Sequence, residues 1–236
     1  MMNTLIITPV KDSIDTFEIT ARSVMNMQCG GEFEYIVYND NSTEENSARL
    51  DYLAAELGFT LVHLSDLIDT PSPNYRFVLQ EAQRIALSRS ANMLIIESDV
   101  AVNIDTLNRL ESQIKDNVGM VAAVTVNDDE EVNFPYLYAS RYAVAPRSTR
   151  KRLSFCCTLL THKLLQRYDF MQLDPTKAWY DVTISHNSVK LGMKNILDMT
   201  TRVVHRPHSS RPWKQLKYTN PLKYYWLKYT KGLDKI

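Results

Sequence analysis

The sequence predicts an α/β protein: a doubly wound, mostly parallel sheet flanked by helices, followed by a basic, aromatic carboxyl-terminal appendage. Three observations predict it. Short apolar runs rich in β-branched residues, TLIIT, FEYIVY, MLII and GMVAAVTV, recur along the first 126 residues, with helical periodicity between them. MLII is apolar without alternation, as suits a strand buried on both faces in a parallel sheet covered by helices. A chain of 236 residues can bury a sizeable core, and 44% hydrophobic with 23% charged residues excludes collagen, coiled coil and disorder.

Thr4 to Thr8 reads as the first strand, ended by Pro9. A helix follows, with Ser13 as its cap, Asp15 in its first turn, and Ile14, Phe17, Ala21, Val24 and Met25 on one face; Gly30 and Gly31 break the pattern. Phe33 to Tyr38 is the second strand. It runs into Asn39, Asp40, Asn41, Ser42 and Thr43, a polar turn whose short side chains bond their own backbone. Leu50, Leu53, Ala54 and Leu57 form the inner face of the next helix, and Gly58 ends it. Thr60 to Leu64 is a third strand, and Asp66 to Asn74, with Pro71 and Pro73, is a loop placed to cover a site.

Phe77 to Ser90 is a helix that delivers the chain to MLIIESDV, Met93 to Val100. Asn103 or Asp105 caps the following helix, marked by Leu107, Leu110 and Ile114, and Gly119 to Val126 is another strand. The second half is less regular. Tyr136 to Arg152 is aromatic and then basic, Leu159 to Tyr168 reads as a helix, and so does Tyr180 to Leu191, stopped by Gly192.

The net charge of zero hides a division. Residues 1–140 carry 8 Lys+Arg and 22 Asp+Glu, whereas residues 141–236 carry 19 and 5. The basic half therefore suits an anionic partner, a nucleotide diphosphate, a phospholipid surface or nucleic acid, or it simply attracts the acidic half. Three cysteines, Cys29, Cys156 and Cys157, form neither a disulfide framework nor a metal spacing. The start MMNTLIITP lacks the flank and cleavage site of a secretory signal, and no run reaches a membrane span. A reducing cytoplasm is the expected compartment.

Strand ends open into the ligand crevice of such sheets. Glu97 and Asp99, one residue apart at the end of the MLII strand, fit a divalent cation that in turn binds a diphosphate; they fit equally a polar loop leading to the next helix.

With these pieces placed, the chain from Thr4 to about Ser210 resembles the family 2 glycosyltransferases of the GT-A fold. The resemblance is carried by IITP at the first strand, YNDNST after the second, Glu97-Ser98-Asp99 in place of the family's Asp-x-Asp, the following VAVNIDTLNRL, the stretch CCTLLTHKLLQRYDF, WYDVTISHNSVKLG, and VVHRPHSS with His205 and His208. Glu97 replaces the first motif aspartate, Tyr180 takes the first place of the family's acidic pair, and Asn187 stands where an arginine is usual. The family's Ala-Arg-Asn before the motif strand is also missing.

The resemblance implies a GT-A domain over residues 1–210, with a nucleotide-binding half at 1–126, an acceptor-binding half at 127–210 and a tail at 211–236. It implies inverting transfer of a sugar from a nucleotide-diphospho-sugar, UDP-linked by preference, to a hydroxyl of a carbohydrate or lipid-linked acceptor in cell-surface polysaccharide or glycolipid synthesis. Asp99, His205 and His208 would hold Mn2+ or Mg2+, and Thr8, Pro9, Val10, Asp40, Glu97 and Ser98 would meet the nucleotide. Asp181 would be the general base, and Arg147, Arg150, Lys151 and Arg152 would meet the diphosphate or a phosphorylated acceptor.

Each assignment has a plainer counterpart. Asp40 can shape its turn, Asp181 can cap its helix, the histidines can be surface residues and the basic run a solvated loop. The tail, with nine Lys+Arg and one acid from Arg202 onward among Trp213, Tyr218, Tyr224, Tyr225, Trp226 and Tyr229, suits the anionic inner face of a membrane or packing on the acidic half. No nucleic-acid partner is expected. Two other classes compete: a non-catalytic nucleotide-sugar or partner-binding module, and a sugar-phosphate nucleotidyltransferase, which the absence of a glycine-rich basic first loop in ITPVKDS disfavours.

Overall fold

A computed structural model describes residues 3–28, 30–115, 117–207, 216 and 220–230. The first six elements are β1 (Thr4–Val10), α1 (Ile14–Met25), β2 (Phe33–Asn39), α2 (Glu44–Leu57), β3 (Thr60–His63) and α3 (Tyr75–Ser88). Then come β4 (Asn92–Ile96), β5 (Val100–Ala101), α4 (Thr106–Ser112), β6 (Val118–Val126), β7 (Pro146–Thr149) and β8 (Cys157–Leu160). The chain continues through α5 (His162–Arg167), α6 (Tyr180–Lys190), β9 (Lys194–His205) and α7 (Pro221–Thr230).

Among the described residues the strands form one sheet in the order β3-β2-β1-β4-β8-β6-β9-β5, with β7 on β9. β1, β2, β3 and β4 are mutually parallel, as are β6 and β9. The strand order reverses between β1 and β4, so the crevice at their carboxyl ends is where an open α/β sheet receives a ligand.

Two apolar layers hold the sheet between its helices. Val78 and Leu79 of α3, Leu164 of α5 and Ile184 of α6 pack with Leu5, Ile7, Met93 and Ile95 on one face. On the other, Ile14 and Phe17 of α1, Leu50 and Leu53 of α2, and Leu107 and Leu110 of α4 pack with Ile6, Leu94 and Ile96. Alternate residues of β1 and β4 thus serve opposite faces, which is why both strands read as continuous apolar runs.

Four expectations are corrected. The stretch from Leu159 does not begin as a helix. Cys157–Leu160 is a strand, antiparallel to β4 and β6 and buried at every residue. A short run buried on both sides carries no periodicity to separate strand from helix. Thr161 then caps α5, its side chain accepting from the Leu164 amide. Second, β1 does not stop at Pro9: Pro9 and Val10 stay in register with Tyr38 and Asn39. Third, the basic run begins inside β7, a short edge strand antiparallel to β9 that includes Arg147. Fourth, Ser13 makes no capping bond; its hydroxyl lies 2.8 Å from that of Ser98.

Gly119 marks a tight approach of β6 to α6. A Cβ there would stand 2.3 Å from Ser188 Oγ and 3.2 Å from Met193 Cβ. Ser188 Oγ is itself bound at 2.7 Å to the buried Asn195 carboxamide. Gly119→Ala is therefore expected to destabilise the fold by about 1–3 kcal/mol through overpacking, read as a lower denaturant midpoint at unchanged slope.

Candidate active site

Glu97 follows β4, and its amide donates to the Cys156 carbonyl at 3.0 Å, extending the β4–β8 ladder by one rung. The chain then turns, with the Val100 amide donating to the Glu97 carbonyl at 3.2 Å, and enters β5. Val100 pairs with His205 at the end of β9, and the Arg206 amide donates to the Asp99 carbonyl at 2.9 Å. This short antiparallel pairing sets the Asp99 carboxylate beside the imidazole: Oδ2 lies 3.4 Å from His205 Nε2. Both side chains are buried.

His205 Nδ1 lies 2.6 Å from the Phe134 carbonyl. A carbonyl only accepts, so Nδ1 carries the proton and Nε2 is the nitrogen turned to the carboxylates. Burial works against the imidazolium, but the bond to Asp99 and the charges of Asp99 and Glu97 outweigh it and raise the His205 pKa. Burial, and then the charge of Asp99, push the Glu97 carboxyl up. Glu97 Oε2 accepts from Cys156 Sγ at 3.1 Å. Glu97, Cys156 and His205 each offer a donor atom within 4.8 Å of the others.

This donor set fits a divalent cation. Carboxylates pressed together out of water gain from a positive charge among them, and an imidazole with its far nitrogen tied to a carbonyl is oriented for ligation. The fold brings the candidates Asp99 and His205 side by side; His208 lies outside the described residues.

Asp181 lies in the first turn of α6, and its Oδ2 accepts from Arg152 at 2.7 Å. Arg152 also stands over the Trp179 ring, 5.3 Å from its centroid. Burial lowers the guanidinium pKa, and the attraction of Asp181 reverses this to a net rise. The charge of Asp181 also bears on Glu97. Of the four basic candidates, Arg152 alone is tied to a predicted site residue by a described contact. Arg147 lies over Tyr142 at 3.8 Å, Lys151 over Tyr138 at 4.2 Å, and Arg150 is exposed.

The other nucleotide-side candidates are engaged within the protein. Thr8 and Val10 are buried, the Thr8 hydroxyl accepting from Tyr35 at 3.0 Å, while Pro9 is half-buried. Ser98 is held by Ser13. The Asp40 carboxylate accepts from Ser72 Oγ at 2.8 Å, the Asn74 amide at 2.9 Å and Asn74 Nδ2 at 2.7 Å. It therefore pins the end of the 66–74 loop just before Tyr75 opens α3. Asp40→Ala would strand three donors, and a loss of about 1–3 kcal/mol in unfolding free energy is expected, measured by urea denaturation.

Sequence reading missed Tyr75 and Cys156. The buried Tyr75 hydroxyl has no hydrogen-bond partner among the described residues. Burial, and then the charges of Glu97, Asp181 and Cys156, raise its pKa well above the ordinary value. Its position after the Pro-rich loop was the available signal. Cys156 had none, since residues 97, 156 and 205 converge only in the folded sheet.

Neither protein-family models nor curated proteins give a match to the chain. Solved structures do. A mannosyltransferase, PcManGT from Pyrobaculum calidifontis, in complex with GDP-Man and Mn2+, aligns with a TM-score of 0.65 at 16% identity over 99% of this chain and 64% of its own. TarS 1-349 of S. aureus aligns at 0.63 with 16% identity, over 86% of this chain and 60% of its own. GalNAc-T7 with UDP, GalNAc and Mn2+ aligns at 0.61 with 14% identity, over 87% and 44%. The chain thus spans 44 to 64% of the length of these structures. At this identity the likeness establishes the fold, which is that of the GT-A glycosyltransferases.

Proposed function

We propose that the chain is an inverting glycosyltransferase of family 2, moving a sugar from a nucleotide-diphospho-sugar to a hydroxyl of a carbohydrate or lipid-linked acceptor. Cell-surface polysaccharide or glycolipid synthesis is the setting that the resemblance favours. One observation carries the reading: at the carboxyl end of β4, on a GT-A fold, Glu97, Asp99 and His205 converge, and the Asp181 carboxylate is close enough for its charge to act on Glu97. The neighbours solved with GDP-Man, UDP and UDP-GlcNAc support a nucleotide-sugar donor.

Asp99 and His205 would hold Mn2+ or Mg2+, with Glu97 beside them on the ion or the ribose. When bound, the ion supplies positive charge to the leaving diphosphate. Asp181 takes the proton of the attacking hydroxyl on the opposite side of the sugar, as inversion requires. Arg152 fixes the orientation of that carboxylate and offers a cation to an anionic acceptor or to the diphosphate. Asp40 acts through the loop it anchors, holding Tyr75 at the site.

The Arg152–Asp181 pair also favours a second reading, a non-catalytic nucleotide-sugar-binding module in which the would-be base stays tied to its arginine. An assay of nucleoside diphosphate released from UDP- and GDP-sugars, with a panel of glycan and lipid-linked acceptors, separates the two. A transferase releases it in step with acceptor glycosylation; a binding module releases none.

At the carboxyl end, α7 buries Tyr224 and exposes Leu222, Tyr225, Trp226 and Tyr229 alongside Lys223. This supports peripheral contact with an anionic membrane face. Among the described residues, no helix is long and apolar enough to cross a membrane.

A further inference from the structure

The adjacent Cys156 and Cys157 show no metal spacing in sequence, and the fold gives them different surroundings. Cys157 stands in register with Ile96, and its thiol has no polar neighbour in the contacts described. Cys156 lies one rung further, where its carbonyl takes the Glu97 amide and its Sγ approaches Glu97 Oε2 at 3.1 Å and Ser154 Oγ at 3.4 Å. His205 closes the group.

We infer that Cys156 is a ligand of the cation site formed by Asp99 and His205, and that it shifts that site toward borderline transition ions such as Co2+ and Zn2+. The inference rests on the metal-site reading given above. Three segments far apart in sequence bring one oxygen, one nitrogen and one sulfur donor within 4.8 Å of each other. The imidazole is already oriented by Phe134. Without an ion, the Cys156 thiol donates to the Glu97 carboxylate. On ligation the S–H bond breaks, the proton passes to solvent, and sulfur and carboxylate both turn their electron pairs to the cation. Mg2+ gains nothing from a thiolate, whereas softer ions do.

Titration of the intact protein with Co2+, followed by absorbance, alone and with UDP, tests this. A thiolate-to-cobalt charge-transfer band in the near ultraviolet is expected in the wild-type protein. Cys156→Ser should lose the band and bind Co2+ at least about 10-fold more weakly, with Mg2+ binding unchanged. A wild-type spectrum without the band decides against ligation even if the variant folds poorly. Co2+ bound without that band would overturn ligation by Cys156 and leave the Asp99–His205 site standing. Failure to bind Co2+ or Mn2+ in either condition would overturn both.

Discussion

Asp181→Asn is expected to lower kcat for sugar transfer by about 10²- to 10⁴-fold, the contribution of a positioned general base, while the donor KM stays unchanged. The substitution preserves shape and the amide oxygen can still accept from Arg152, which keeps the Arg152–Trp179 contact, while the bond that the other carboxylate oxygen accepts from the Val182 amide is given up. What is lost is the site that receives the proton. A base acts only in the transition state, so the loss falls on kcat and kcat/KM alike. Equal turnover in Asp181→Asn and wild type would remove Asp181 from the chemistry. An equal loss of donor binding would assign it a structural role.

Asp99→Ala is expected to have the second large effect. Asp99 is held on one side by the β5–β9 pairing and faces His205 on the other, so its removal opens the cation site without touching β4. Mn2+ affinity should fall at least as far as the ~10- to 100-fold seen when mere supporting groups of a metal ligand are removed. Binding of the nucleotide diphosphate should become indifferent to metal. Calorimetric titration of Mn2+ into both proteins checks the first expectation. An Asp99→Ala protein with wild-type Mn2+ affinity would move the site elsewhere, toward Glu97, Cys156 and His205 alone.

The first half of the fold was largely legible because β1, β2 and β3 alternate with helices that have their own amphipathic period, whereas the two-residue β5 is too short to show any. Gly58, at φ 83°, ends α2 as expected. Motif order singled out Asp99, His205 and Asp181 as candidates, and Asp181 lies in the first turn of α6. The second half hid its structure for a physical reason. β8 is buried on both faces, and β7 is an edge strand made of polar residues, so neither shows a strand period. Contacts that cross the sheet were equally hidden. The Arg152–Asp181 pair joins residues 29 apart, the Glu97–Cys156 contact joins residues 59 apart, and the Asp40 bonds to Asn74 span 34. Sequence supplied the candidates, and only register and topology selected among the four basic residues.

Thermal unfolding of the intact protein against UDP-, GDP- and other nucleotide sugars, each with and without Mn2+, would decide whether the end of β4 is a donor site. Binding to the native state raises the midpoint, by about 2.7 kcal/mol of added stability at a ligand concentration 100 times Kd. A rise for one nucleotide class that requires Mn2+ and disappears in Asp99→Ala is the expected result. No rise with any nucleotide at millimolar concentration, with or without the metal, would contradict a nucleotide-sugar site on this fold.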